Sequence, residues 1–359
     1  MEIDTANKSE TTQAVRVRDF YRLMPEIFAL WPEHLEQTHH SESDVDLLAT
    51  WDRDAIASDK PTVIVCTEPD IDSAHVIFAD LIARRPHSVW AHNQILPGMH
   101  WQVPAETFYA SNLVMTVRAN PACETWQPSI KPYLAHALLG GWSTERGRLY
   151  RELDKSGMLP RCLVNFQPRV IQWIPPGYES LFIQYRSSDL QHLDDDVFQS
   201  RAYLQGAFNS MVPIDNEQSD RVYISQIIPW QVYQNTWIAV VAETSMNSFL
   251  PTEKIGKPLL AAQPFVVFAC THFLRHLRDL GFRTFAPWID ESYDDIVDLQ
   301  TRAKAVIDSV AQFDRLAHNE KHRVIDQIQP VLTHNRRLML DQRHWHKPIL
   351  DAIKTLVDQ

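Results

Sequence analysis

Residues 237–254 read WIAVVAETSMNSFLPTEK, and this stretch decides the fold. Its first residues are apolar and include isoleucine and two valines, which predicts a buried strand. The strand ends in Glu243, and the loop after it leads to Thr252, a residue type that often caps helices. The stretch therefore predicts a strand, a loop and the start of a helix, the order found in α/β folds.

The same alternation of strands and helices extends to both sides of this stretch. Upstream, residues 62–66, 88–91 and 112–117 predict three short strands. A second series begins with the apolar run 133–139, which Gly140 and Gly141 are expected to end. Further strands are predicted at 222–228 and 265–270, and helices at 143–156, 272–280, 292–312 and 320–357.

The length of the chain and this restart of the alternation predict two domains. A chain of 359 residues exceeds what one compact core of typical size holds. We expect an N-terminal α/β domain over residues 1–130, a second α/β domain over 131–315 and a helical tail over 316–359. Ligands of open α/β sheets bind outside the carboxyl ends of strands, so a site is expected in the loops after strands.

Composition argues against several classes of function. The net charge of −11 offers nucleic acid little electrostatic attraction, so nucleic acid is not an expected partner. No apolar run approaches the roughly 20 residues of a membrane span, and the N-terminal residues MEIDTANKSE lack the apolar core of a secretory signal. The four cysteines form no CxxC pair, which favours buried thiols in a reducing, cytoplasmic compartment.

The helix that starts at Thr252 is a predicted anion site. A helix N-terminus presents unpaired N–H groups and a partial positive charge, and Lys254 adds a full charge there. Glu243 and Glu253 supply acceptors for the hydroxyl groups of a ribose or a sugar. The alternative interpretation of the same residues is an ordinary helix start with a solvated Lys254.

The stretch resembles the signature of the α1,3-fucosyltransferases, glycosyltransferase family 10, in which a strand ending in Glu-Asn-Ser/Thr leads to Thr-Glu-Lys. The spacing between Glu243 and Glu253 matches that signature, whereas Thr244 and Ser245 replace the Asn-Ser. The resemblance covers roughly residues 222–310. It implies the GT-B layout, two Rossmann-like domains facing a cleft, with a nucleotide-diphosphate sugar as donor and no cofactor.

A weaker part of the resemblance lies upstream, where residues 140–153 read GGWSTERGRLYREL. In the family an arginine at the start of a helix reaches the diphosphate, and a guanidinium fork suits phosphate oxygens better than an ammonium. Arg146 matches best and Arg148 next, while a solvated helix face that includes Arg151 is the alternative. The donor-binding residues implied by both parts are Arg146, Arg148, Glu243, Thr244, Thr252, Glu253 and Lys254.

The resemblance also implies the chemistry, an inverting transfer of sugar to a saccharide or surface-glycan acceptor without a metal. The protein's own cations would stabilise the departing nucleotide diphosphate, and a general base on the N-terminal domain would deprotonate the acceptor hydroxyl. Glu68 is the first candidate for that base, with Asp70 and His92 as alternatives. The acidic run Asp194–Asp196 lies in polar, loop-like sequence, so no metal site is expected there.

Two other functions remain open. A non-catalytic relative would bind a glycan or a nucleotide, although such a protein has little reason to keep all the charged residues of the motif. A glycosyltransferase acting on modified DNA bases should carry a basic channel, and the acidic composition speaks against one.

Overall fold

A computed structural model gives the architecture of the chain. It describes residues 46–49, 62–66, 87–95, 106–120, 124–141, 143–167, 211–213, 221–223 and 227–357. Contacts divide the chain into two compact units. Unit 1 comprises Met1–Met115, Asp215–Asp220 and Asp341–Gln359, and unit 2 comprises Thr116–Ile214 and Arg221–Leu340.

Strands and helices alternate along most of the described chain. The strands are β1 (Asp46–Ala49), β2 (Thr62–Cys66), β3 (Ser88–His92), β4 (Glu106–Phe108), β5 (Tyr133–Gly141), β6 (Cys162–Gln167), β7 (Met211–Pro213), β8 (Arg221–Tyr223), β9 (Thr236–Ala242) and β10 (Phe265–Phe268). The helices are α1 (Ser111–Ala119), α2 (Thr144–Lys155), α3 (Trp230–Gln234), α4 (Glu253–Ala261), α5 (Phe273–Asp279), α6 (Leu299–Asp314), α7 (His318–Leu340) and α8 (Gln342–Val357). Within the described ranges, no helix is both long and apolar enough to cross a bilayer.

Unit 1 is built on a four-stranded parallel sheet in the order β1–β2–β3–β4. Strand β3 is buried along its whole length, which is usual for a parallel strand covered on both faces. The register pairs Cys66 with His92 and His92 with Phe108. The carboxyl ends of β2, β3 and β4 therefore lie level at one edge of the sheet.

Helix α1 corrects the strand predicted at residues 112–117. The segment is helical from Ser111, and it buries Leu113 and Val114. A short apolar run fits a buried helix as well as a strand, so its periodicity could not distinguish the two.

Unit 2 holds a second four-stranded parallel sheet, in the order β10–β9–β5–β6. Its two inner strands connect in opposite directions along the sheet. Helix α2 leads from β5 outward to β6, and α4 leads from β9 outward to β10. The carboxyl ends of β5 and β9 therefore form a topological switch point, the place where open parallel sheets bind ligands.

The sequence predicted that strand β5 ends before Gly140, but the strand continues through this residue. It runs to Gly141, with a bulge between Leu138 and Gly140 in its pairing with β6. Gly140 has φ of 65°, a left-handed conformation that glycine adopts without steric cost. The glycine pair thus makes β5 irregular without stopping it, and the strand reaches almost to the start of α2.

The buried Arg302 of α6 fixes the segment that follows β10. Its guanidinium donates hydrogen bonds to the carbonyl of Ala269, the hydroxyl of Thr271 and the carbonyl of Ile296. These bonds tie the exit of β10 to the segment before α6, so the outer side of the sheet edge is held in place.

The helical tail is divided between the two units. Helix α7 packs on α4 in unit 2, whereas α8 packs on β3 and β4 in unit 1. The predicted fold class is confirmed as α/β: each unit contains a parallel sheet with helices, and the chain ends in helices. The domain ranges 1–130, 131–315 and 316–359 stay a prediction.

Candidate functional site

The candidate site lies in unit 2, at the carboxyl ends of β5 and β9. Both strands are followed by a helix that begins with a capping hydroxyl. The Ser143 hydroxyl accepts the N–H of Arg146 at 3.2 Å, and the Thr252 hydroxyl accepts the N–H of Lys254 at 3.2 Å. The first turns of α2 and α4, and the cations that they carry, therefore stand at the same edge of the sheet.

The carboxylate of Glu243 is the centre of hydrogen bonding in this site. The residue is buried, with 1% of its surface exposed. Its Oε1 accepts the N–H groups of Thr252 at 3.1 Å and Ile255 at 3.2 Å. Its Oε2 accepts the hydroxyl of Thr252 at 2.5 Å and the N–H of Thr244 at 3.2 Å. A carboxylate offers about four lone-pair sites, so Glu243 has none left for a ribose or sugar hydroxyl.

These bonds correct the expectation that the start of α4 presents unpaired N–H groups to an anion. Glu243 accepts the N–H groups of Thr252 and Ile255, and the Thr252 hydroxyl accepts that of Lys254. Glu243 is thus an internal anion at the positive end of the helix. An incoming anion would meet the side-chain cations of the site rather than these N–H groups.

Glu253 and Lys254 form an ion pair in which Nζ and Oε1 are 2.7 Å apart, with only 20% of the Lys254 side chain exposed. The Lys254 ammonium also donates to the hydroxyls of Thr244 at 3.1 Å and Thr252 at 3.4 Å. Burial raises the pKa of Glu253, but the ammonium groups of Lys254 and Lys257 outweigh it and hold that pKa below its usual value. Lys254 is therefore held in the site and is not a solvated lysine.

Arg146 interacts with the same carboxylates from α2. Burial lowers the pKa of its guanidinium, while the charges of Glu253, Glu243 and Glu145, in that order, act to raise it. An arginine remains protonated despite such a shift. The structure therefore places Arg146 and Lys254, which are far apart in the sequence, within the electrostatic influence of one carboxylate, Glu253.

Arg148 lies apart from this group of charges. Residues two apart on a helix do not share a face, so Arg148 points away from the side taken by Arg146. Its guanidinium Nη1 is 3.5 Å from the side-chain oxygen of Gln300 on α6. The structure thus separates the two arginines that the sequence offered as diphosphate ligands.

Lys257 is a charged residue of the site that sequence reasoning missed. It lies one turn after Lys254 on α4 and is 9% exposed. Burial lowers its pKa to about 8, the carboxylate of Glu253 acts to raise it, and the Lys254 ammonium lowers it further. A signal was present, because residues spaced by three and four lie on one face of a helix.

We name Arg146, Glu243, Glu253, Lys254 and Lys257 the switch-point cluster. When all five are ionised, three cations face two carboxylates, and the carboxylate of Glu145 also acts on Arg146. Charges act more strongly in a largely buried site than in water, so the three cations favour an anionic ligand that replaces their carboxylate partners. Among the described residues no three His, Cys, Asp or Glu side chains converge as a metal site.

The predicted catalytic residues belong to unit 1. His92 ends β3, and its Nδ1 is hydrogen-bonded to the backbone carbonyl of Gln94. Because a carbonyl only accepts, Nδ1 carries the hydrogen and Nε2 carries the lone pair, the tautomer that a general base requires. Glu68 and Asp70 lie outside the described residues, as does the acidic run Asp194–Asp196.

Comparison with known proteins gives little guidance. No family model matches the chain and no curated protein matches it, so the resemblance to the α1,3-fucosyltransferases rests on its motif residues. Among solved structures the chain is similar to the DNA modifying enzyme beta-glucosyltransferase, solved with and without its substrate uridine diphosphoglucose. The two share 10% identity and a TM-score of 0.39 over 100% of this chain and 96% of that one. A likeness of that size carries no functional argument, so function has to be argued from the site.

We expect Glu243→Ala to lower the free energy of unfolding by about 2–4 kcal/mol, because the buried N–H groups of Thr252 and Ile255, the N–H of Thr244 and the Thr252 hydroxyl lose their acceptor. Urea denaturation followed by circular dichroism measures the change. Glu124→Ala removes an exposed carboxylate and serves as the control, with an expected change below about 0.5 kcal/mol. Equal stability of the two variants would contradict the capping role of Glu243.

Proposed function

We propose that this protein is a glycosyltransferase that binds the diphosphate of a nucleotide-sugar donor at the switch-point cluster. The observation that carries the proposal is that Glu253, which forms an ion pair with Lys254 of α4, also acts by its charge on Arg146 of α2, at the carboxyl ends of β5 and β9. Open α/β sheets bind nucleotides at such a switch point. The three cations of the cluster suit a diphosphate better than they suit a neutral ligand.

The contacts of the cluster suggest a role for each side chain. Arg146 donates its fork to the phosphate oxygens, and Lys254 exchanges its bond to Glu253 for a bond to phosphate. Glu253, released from Lys254, accepts hydroxyl groups of the ribose or the sugar. Thr244, whose hydroxyl is 3.1 Å from the Lys254 ammonium, positions that cation.

The proposed roles of Glu243 and Thr252 are structural. Both are buried, and their polar atoms are bonded to each other and to the first turn of α4. In this proposal they hold the loop and the helix start at which Lys254 meets the donor. They do not touch the donor themselves, in contrast to the role that the family resemblance implies.

The reaction that we propose is an inverting transfer without a metal. The acceptor oxygen forms a bond to the anomeric carbon while the bond from that carbon to the diphosphate breaks. The nucleotide diphosphate leaves with the electron pair, and Arg146, Lys254 and Lys257 stabilise its charge. The proton of the acceptor hydroxyl passes to a general base, for which Glu68, Asp70 and His92 are the candidates.

The motif supports a nucleotide-diphosphate sugar as the donor and a saccharide or surface glycan as the acceptor, in a cytoplasmic protein. Transfer to a modified DNA base is the alternative, and the net charge of −11 weighs against it. A gel-shift titration at low salt with duplex DNA tests that alternative. A non-catalytic relative would bind a nucleotide sugar without turning it over.

A thermal-shift panel of nucleoside diphosphates and nucleotide sugars tests the proposed function. A ligand that binds only the folded state raises the melting temperature as its concentration exceeds its dissociation constant. We expect at least one nucleoside diphosphate and its sugar conjugate to raise the melting temperature, and inorganic phosphate to have a smaller effect. No shift with any nucleotide at millimolar concentration would overturn the proposal.

We expect Arg146→Ala and Lys254→Ala each to weaken binding of the best nucleoside diphosphate by about 1.5–3 kcal/mol, the usual worth of a charged hydrogen bond. Arg148→Ala is the matched control, because it removes a guanidinium from the same helix on the side of Gln300. Isothermal titration calorimetry measures the three affinities. If Arg148→Ala weakened nucleotide binding as much as Arg146→Ala, the change would be a general effect of charge and would contradict binding at this site.

The affinity for a nucleoside diphosphate should fall as the pH rises through about 8, where Lys257 loses its proton in the folded protein. The sign follows from the lowered pKa, since Lys257 is charged below that pH and neutral above it. The terminal phosphate of the diphosphate has its second pKa at about 6, so the charge of the diphosphate is nearly constant above about pH 7.5. Titrations between pH 6.5 and 9.5 measure the profile, and Lys257→Arg, which stays charged, should flatten it. The same fall in Lys257→Arg would exclude Lys257 as its cause.

We expect Glu68→Gln to lower turnover of the nucleotide sugar by about 10²–10⁴ and to leave donor affinity unchanged, because it removes the proton acceptor and keeps the shape. His92→Gln and Asp70→Asn are compared in the same assay, which measures release of the nucleoside diphosphate. Unchanged turnover in Glu68→Gln would move the role to His92 or Asp70. Equal loss of binding and turnover would make Glu68 a binding residue.

A further inference from the structure

Two buried polar side chains at the carboxyl edge of the unit 1 sheet have no hydrogen-bond partner. Gln94 lies two residues after β3 and is 2% exposed, and Ser111 begins α1 and is 3% exposed. Among the residues that the structure describes, neither the amide of Gln94 nor the hydroxyl of Ser111 is hydrogen-bonded. The donor site in unit 2 uses neither of them.

A backbone hydrogen bond joins the segments that carry these two side chains. The N–H of Tyr109 donates to the carbonyl of His92 at 2.7 Å, which continues the pairing of β3 with β4 beyond the strands. Gln94 lies two residues beyond one partner of this bond, and Ser111 lies two residues beyond the other. Adjacent strands run about 4.8 Å apart, so the two segments that carry these residues leave the sheet at neighbouring points of one edge.

Such groups are rare in folded proteins, because a buried polar atom without a partner has lost its hydrogen bonds to water without replacement. Gln263 in unit 2 is the instructive contrast. It is also buried, and although its Oε1 has no partner, its Nε2 donates to the carbonyls of Tyr233 at 3.2 Å and Thr236 at 3.0 Å. Gln263 therefore stabilises the fold, whereas Gln94 makes no side-chain hydrogen bond that would explain its burial.

The chemistry of the two groups indicates what they would bind. A glutamine amide donates and accepts, and so does a serine hydroxyl, which matches saccharide hydroxyls because each of these also donates and accepts. Residues 93–95 and 109–111 carry no charged side chain, so a phosphate or carboxylate would find no opposite charge in these segments. This chemistry favours a neutral saccharide.

We propose that Gln94 and Ser111 form a subsite for the hydroxyl groups of a neutral saccharide acceptor, an inference that rests on the proposed glycosyl transfer. The subsite lies at the carboxyl edge of a parallel sheet, where such sheets bind ligands. His92, a candidate base, lies at the same edge and is bonded to the backbone of Gln94. Since both groups are buried, a saccharide can reach them only if the structure opens locally. The hydrogen bonds that the saccharide then makes with the two groups offset the free-energy cost of this opening.

The first test needs no substrate. Gln94→Met and Ser111→Ala should keep the melting temperature or raise it by about 2–4 °C, because each removes an unpaired polar group from the interior. Gln263→Met and Ser309→Ala are the matched controls and should lower it, since the Ser309 hydroxyl donates to the carbonyl of Asp290 at 2.8 Å. A fall in Gln94→Met as large as in Gln263→Met would overturn the proposal, because it would assign Gln94 to the fold.

The second test measures saccharide binding directly. Methyl glucoside, methyl galactoside and methyl mannoside are titrated into the protein saturated with the nucleoside diphosphate that raises its melting temperature most. The best glycoside should bind about 2- to 10-fold more weakly to Gln94→Met and to Ser111→Ala, with nucleotide affinity unchanged. Wild-type protein that binds none of the glycosides, or variants that bind them equally well, would overturn the saccharide subsite.

The two proposals fail in different ways. If no nucleotide raises the melting temperature, the proposed function fails at the switch-point cluster, and the glycosides are then titrated into the protein alone. If a nucleotide binds but the glycoside result is negative, the donor site stands and the assignment of Gln94 and Ser111 is wrong.

Discussion

The proposed donor site depends on one buried interaction, the capping of α4 by Glu243. Burial raises the pKa of this carboxylate, and the Lys254 ammonium and the Thr252 hydroxyl act against that rise. Four donors converge on the carboxylate, so its charge is compensated without water. The bonds join the end of β9 to a helix start nine residues away, and they fix the direction in which α4 presents Lys254 and Lys257. The ionic contacts of the cluster follow from that geometry.

An internal carboxylate at the helix start also determines how the site can hold a phosphate. Glycine-rich nucleotide loops bring backbone N–H groups close to the phosphates, and they need glycine for that approach. The loop between β9 and α4, residues 243–252, contains no glycine, and the N–H groups of Thr252 and Ile255 are already bonded to Glu243. In the proposed site the phosphates are therefore bound by long cationic side chains, which can leave their carboxylate partner when a ligand binds.

The strands β5, β9 and β10 and the starts of helices α2 and α4 could be predicted from the sequence, because they follow from local patterns. Apolar runs indicate buried strands, and the capping residue Thr252 indicates the start of α4. The features of the candidate site that the sequence could not predict have a different origin, since they depend on how side chains pack in the folded protein. Arg146 and Arg148 look alike until the neighbouring helix is known, and the capping by Glu243 depends on a side chain folding back across its loop. The buried Lys257 resembles a solvated lysine for the same reason.

The placement of α8 has a consequence for how the protein is made. Its buried Trp345, Ile349 and Leu350 belong to the core of unit 1, whose sheet comes from the first third of the chain. During synthesis β1 to β4 leave the ribosome long before α8, and unit 2 is complete between them. Domains fold as units while the chain emerges. Unit 1, although its synthesis begins first, is therefore the second of the two units to complete its core, and until α8 has emerged its sheet lacks the helix that covers β3 and β4.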